Sequence, residues 1–213
     1  MIQRLLILFA MALSLEAFAT AQQSDTIILN NVELPLNTNP LESHIKSIGW
    51  EPPEEASIWS SNWRGYIAKW EIVAGKLQLK DASIELKGKS IKNRKRKSII
   101  DVFFPNKGSV IATWYTGALI VPDGEMTNYV HMGYGSSYES YQVLRIKEGV
   151  VIEHLSFSNE QFENYKHRKF QSFKETKKFQ EELENLIGGE YNWAEDDALD
   201  FMQNYHAEYY LSL

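Results

Sequence analysis

The chain has 213 residues and a mass of 24.6 kDa, with 44% apolar residues, 23% charged residues and a formal net charge of −6. This fits one globular domain or at most two small ones and excludes collagen, coiled coil and wholesale disorder. A pI near 5.5 argues against nucleic acid as a partner, because phosphate contacts need a net basic face. The absence of cysteine excludes a disulfide, a thiolate zinc site, a cysteine nucleophile and a lipid-modified cysteine.

Residues 1–21 read as a secretory signal, with Arg4 near the start, an apolar run over 5–15 and the small residues Ala19-Thr20-Ala21 before a cleavage point after Ala21. Glu16 interrupts the run short of the roughly 20 residues a membrane span requires, which disfavours an uncleaved anchor. Cleavage removes Arg4 and Glu16 together, so the charge stays at −6. No later stretch approaches transmembrane length, so the expected product has no membrane span and is periplasmic or secreted. Residues 22–213 are expected to form one α+β domain, mainly β over 22–157 and helical over 158–213.

The β-rich, then alternating, stretch 26–36 predicts a first strand. Asn39-Pro40 predicts the start of a short helix ending at Gly49, with Asn39 as its cap. Residues 50–62, with Pro52-Pro53, predict a loop that carries Trp50 and Trp59. Tyr66, Ala68, Trp70 and Ile72 then share one face of a half-buried strand, and Ala74-Gly75 turns the chain into a return strand through Leu77 and Leu79. A second hairpin is expected from 110–114 through Thr116-Gly117 to 118–121, closed by a turn at Pro122-Asp123-Gly124. A third runs from 141–146 through Lys147-Glu148-Gly149 to 150–152. Six to eight strands with short connections predict an antiparallel β-meander, open or partly closed into a barrel, rather than a βαβ sheet.

From Lys87 to Lys97, seven of eleven residues are Lys or Arg. Such a run reads as a solvated loop, with an anionic envelope partner as its functional alternative. Phe157, Ser158, Gln161 and Phe162 fit a capping box enclosed by a hydrophobic staple and start the helical part. Phe162, Tyr165, Phe173, Leu183 and Ile187 share a broad face, Phe170 lies off it, and Gly188-Gly189 ends the segment. Asn192 with Glu195 repeats the cap pattern before an apolar stripe of Ala198, Phe201, Met202, Tyr205 and Tyr209. Nine acids and no Lys or Arg lie from Glu181 to Glu208, an excess that helix capping partly explains.

The segments RGYIAKWEI (64–72), WYTGAL (114–119) and YVHMGYGSSYE (129–139) resemble a family of uncharacterised bacterial proteins over roughly residues 60–155. The resemblance implies a shared β-rich fold and supplies no activity.

The strongest candidate site lies in residues 131–139. Two glycines flank Tyr134, allowing positive φ or close backbone approach, while His131, Tyr134, Ser136, Tyr138 and Glu139 are polar groups able to orient a ligand. His131 beside Glu139 has the makings of a general base, against the alternative of a structural corner. Trp50, Trp59 and Trp63 offer a stacking platform for sugars, or cover for a sheet edge. Trp70 and Trp114 face inward by alternation, and with them Trp63 is expected to be buried, while Trp50 and Trp59 are left open. The five histidines show no His-Glu-x-x-His spacing and Glu195-Asp196-Asp197 lacks a calcium-loop pattern, so no metal and no cofactor is expected. No Gly-x-Ser-x-Gly or phosphate-cradling glycine loop occurs. The expected function is a binding module for an envelope glycan or peptide. The alternatives are a hydrolase of an envelope polymer and a purely structural envelope protein.

Overall fold

The computed structural model describes residues 21–88, 95–189 and 192–213, so the expected signal lies outside the described residues except for Ala21. The chain is an α+β protein: a nine-stranded sheet carries helices from its carboxy-terminal part. The strand expected over 26–36 is a hairpin, β1 (Asp25–Leu29) and β2 (Val32–Leu36). Asn30 and Asn31 turn it with φ of 50° and 64°, a left-handed pair that asparagine tolerates and that matches strand twist. Helix α1 (Glu42–Ile48) ends at Gly49 as expected, but its N-cap position is Leu41 with no side-chain cap. Asn39 contributes only its carbonyl, to Glu42 N at 3.0 Å, which leaves its side chain for other work.

Strands β3 (Ile67–Val73) and β4 (Lys76–Glu85) form the expected hairpin around Ala74-Gly75, with Tyr66, Ala68, Trp70, Leu77 and Leu79 buried. Beyond β5 (Arg96–Ser98) and the short α2 (Ile100–Phe103), the expected second hairpin does not form. Strand β6 is only Val110–Ile111 and pairs with β4, while Ala112 and Tyr115 turn into the core. Strand β7 (Gly117–Asn128) runs straight through Pro122-Asp123-Gly124, where a turn was expected. Proline is tolerated there because β7 is a terminal strand of the sheet, and Gly124, at φ 79°, takes up a register shift between Asp123 and Met126. Strands β8 (Ser137–Lys147) and β9 (Val150–Ser158) form the third expected hairpin.

The strand order is β2-β1-β3-β4-β9-β8-β7, with β5 and β6 also on β4. Two features depart from a simple meander: β1 and β3 are parallel, and β4 meets β9 through the single pair Lys76 and Val150. The sheet is open, although a 2.8 Å hydrogen bond from Asn37 N to Ile120 O draws β2 towards β7. Nine strands exceed the six to eight expected because the first was double and the short β5 had no pattern to announce it. Of the basic run, 89–94 lie outside the described residues. Its described end is ion-paired, Lys97 with Glu55 at 3.1 Å and Arg96 with Glu85 at 3.8 Å.

Helix α3 (Asn159–Lys174) begins with the expected capping box on Ser158, and the staple rings Phe157 and Phe162 lie 6.4 Å apart. The stretch to Gly188 is not continuous. Thr176 accepts a hydrogen bond from Phe179 N and starts α4 (Lys177–Gly188). This break folds the helices back on themselves, so Phe170, expected off the apolar face, is 1% exposed among Phe173, Phe179 and Tyr210. Helices α5 (Glu195–Tyr205) and α6 (Ala207–Tyr210) close the chain, with Ala194 rather than Asn192 at the α5 N-cap position. Two cores result. Leu119, Val121, Leu144 and Ile146 face the one inside the curved sheet, whereas Ala118, Ile120, Tyr141 and Val143 face the helices, so β7 and β8 are apolar on both sides. Among the described residues no helix is long and apolar enough to cross a membrane.

Candidate functional site

Where the helices meet the sheet, a cleft of about 560 Å³ remains open. Its sheet-side wall comes from the 130–137 segment between β7 and β8, from Asn37 and Asn39 after β2, and from Trp63 and Arg64 before β3. The helical wall is Phe162, Glu163 and Lys166 of α3 with Asn204, Tyr205, Ala207 and Glu208 at the α5–α6 junction. Gln22 N donates to Gly133 O at 2.9 Å, which fastens the loop from outside. Gly133, at φ 52°, faces the Tyr205 ring, so the loop is held from both sides.

Under the cleft lies a buried polar network. The Arg64 and Asp25 side chains are 2% and 0% exposed, and Arg64 Nη1 donates to Asp25 Oδ1 at 3.0 Å. Asp25 also accepts from Ala68 N and from Trp70 Nε1, both at 3.1 Å, and Arg64 Nη2 donates to Gln23 O. Burial pushes the Asp25 carboxyl pKa up, against the pull of Arg64 and the two N–H donors. Burial works against charge on Arg64 too, but the Asp25 carboxylate together with the Tyr134 and Tyr66 hydroxyls outweighs it, and the guanidinium pKa is pushed up. Above this network, Tyr134 OH donates to Asn39 Oδ1 at 2.9 Å, and burial pushes the phenol pKa up to about 12. Asn39 N in turn faces Glu208 Oε2 at 3.5 Å.

Glu208 is partly buried, and its burial raises its pKa despite the Tyr115 hydroxyl and the Asn39 N–H beside it. A carboxyl with a raised native pKa binds its proton more tightly folded than unfolded. Its stabilising contribution is therefore full below the unfolded pKa, near 4.5, and is lost as pH rises through the native value. Glu208→Gln, which stays neutral, should gain melting temperature relative to the parent as pH rises from about 4.5 to about 7, because that loss is removed. A difference that stays constant across this range would show that the group does not titrate abnormally.

The residues singled out from sequence divide sharply. Tyr134 and Ser136 line the cleft, and Ser136 Oγ accepts from Val130 N at 3.1 Å. His131 is exposed outside it, with Nδ1 bonded to Tyr129 OH at 2.7 Å. Glu139 is exposed on the β7–β8 hairpin and accepts from Glu125 N at 3.0 Å, so His131 and Glu139 serve different partners. Tyr138 packs edge-on against Tyr141, at 6.2 Å. Trp50 is partly buried against Tyr66 and Phe103, and Trp59 is exposed away from the cleft. Trp63, expected to be buried, is 61% exposed at the cleft rim, because the chain turns at residues 60–65 and places it outside the alternating strand. Sequence reasoning passed over Asn39, Arg64, Tyr205 and Glu208, whose local patterns read as cap, strand start, apolar stripe and helix acid. Among the described residues no group of three or more His, Asp or Glu side chains converges as metal ligands.

Comparison of the chain with known protein families, with curated proteins and with solved structures finds no match.

Proposed function

We propose that this protein is a ligand-binding module of the cell envelope, that the cleft is its site, and that an envelope glycan or peptide is its ligand. One observation carries the reading. The cleft combines exposed aromatic surface, Trp63 and Tyr205, with a polar floor of Asn39, Tyr134 and Glu208 held in place by hydrogen bonds. Sugars and peptides both present an apolar face for stacking beside groups that need directed hydrogen bonds. Neither His131 nor Glu139 lines the cleft, which supports binding over the hydrolytic alternative.

The test is a thermal-shift and calorimetric screen of the protein against envelope glycans and peptides, followed by substitution. Trp63→Ala should weaken binding about tenfold while leaving the fold nearly intact, since the side chain is mostly exposed. Tyr134→Phe should weaken it by a similar factor, and His131→Ala should leave it unchanged. A ligand whose affinity is indifferent to both Trp63→Ala and Tyr134→Phe would move the site elsewhere.

A further inference from the structure

Resting on the reading of the cleft as the binding site, we propose that the ligand carries a primary ammonium group that pairs with the Glu208 carboxylate. The charges in the cleft wall balance except for one. Arg64 is cancelled by Asp25 at 3.0 Å, and Lys166 Nζ lies 3.2 Å from both oxygens of Glu163. Glu208 has no Lys, Arg or His partner among the described residues; only the Asn39 N–H and the Tyr115 hydroxyl lie against it. A carboxylate partly removed from water without a counter-charge is unfavourable, and a bound cation relieves that cost. Its surroundings suit an ammonium in two further ways. The Tyr134 side chain lines the cleft, and its hydroxyl donates to Asn39 Oδ1, so its oxygen keeps acceptor capacity. Tyr134 on the sheet-side wall and Tyr205 on the helical wall supply aromatic rings, whose faces attract a cation. Burial raises the Glu208 pKa, the expected state of a site waiting for its counter-ion.

A primary ammonium on an envelope ligand comes from two sources, a deacetylated amino sugar or the lysine side chain of a peptide. Calorimetry would compare a glucosamine tetramer with its N-acetylated form, and a trilysine peptide with its Nε-acetylated form, on the parent, Glu208→Gln and Trp63→Ala proteins. One of the two amines should bind, with acetylation weakening it at least about tenfold, the scale of a charge-assisted hydrogen bond. Glu208→Gln should weaken the free amine by a similar factor and the acetylated form markedly less. Which amine binds identifies the source. If an acetylated form binds as tightly as its amine and remains sensitive to Trp63→Ala, the cleft reading stands and the ammonium inference falls. Amine binding indifferent to Glu208→Gln overturns the inference as well, and if it is also indifferent to Trp63→Ala the cleft reading falls with it. Failure of both amines to bind overturns the inference alone, because the broader glycan and peptide screen tests the cleft independently.

Discussion

Asp25→Ala should lose about 3–5 kcal/mol of folding free energy in urea denaturation, the cost of breaking a buried ion pair from one side. The substitution leaves the Arg64 guanidinium, 2% exposed, without an anion. It also strips the acceptor from Ala68 N and Trp70 Nε1 in a part of the core that water does not reach. Asp25→Leu combined with Arg64→Met should recover only the part of the loss that comes from the stranded guanidinium, because Ala68 N and Trp70 Nε1 still lack their acceptor. A loss below about 1 kcal/mol for Asp25→Ala would mean that Arg64 finds water or another acceptor, and that the polar network under the cleft is not sealed from solvent.

This network shows where the sequence was readable and where it was not. The alternation of Tyr66, Ala68 and Trp70 announced a buried strand face, and that face is present. Nothing local announced that an aspartate about forty residues earlier would join it. Asp25 reaches Ala68 only because β1 lies parallel to β3 with Ile27 opposite Trp70, a pairing set by tertiary packing. The features that were legible are those decided within a few residues: the Ala74-Gly75 and Glu148-Gly149 turns, the Gly49 helix end and the Ser158 capping box. Pro122-Asp123-Gly124 failed as a turn because its local chemistry is also that of a bulged edge strand, and only the neighbours of β7 decide between the two.

The cleft divides in the same way. Tyr134 and Ser136 were found because glycines around an aromatic residue in a short loop are a local signal. Asn39, Arg64 and Glu208 each had an adequate local explanation, so their convergence over a span of 169 residues, from Asn39 to Glu208, left no pattern to read. Trp63, expected to be buried with Trp70 and Trp114, instead lies in the turn before β3. Its exposure is what makes the cleft rim aromatic.

The two turn glycines that looked alike in sequence should behave differently. Gly75 and Gly149 have φ of 72° and 78°, so alanine at either pays for a left-handed backbone, about 1–2 kcal/mol. At Gly75 that is the whole cost, since a Cβ there meets nothing within 4 Å. At Gly149 the added Cβ would lie 2.8 Å from Ala112 O and 3.1 Å from Thr113 N, both backbone atoms. They cannot yield without disturbing the bonds of that turn, in which Gly149 N donates to Tyr115 O at 2.9 Å and Leu77 N donates to Gly149 O at 2.8 Å. Those bonds tie the β8–β9 hairpin to the 112–115 turn and to the start of β4, where the two halves of the sheet share a single ladder pair. Gly149→Ala should therefore cost about 2–4 kcal/mol and Gly75→Ala no more than about half as much, read as the difference between their urea midpoints at equal slope. Equal losses would mean that the 112–115 turn moves aside freely, and that the junction of the two sheet halves is held by something other than this close backbone packing.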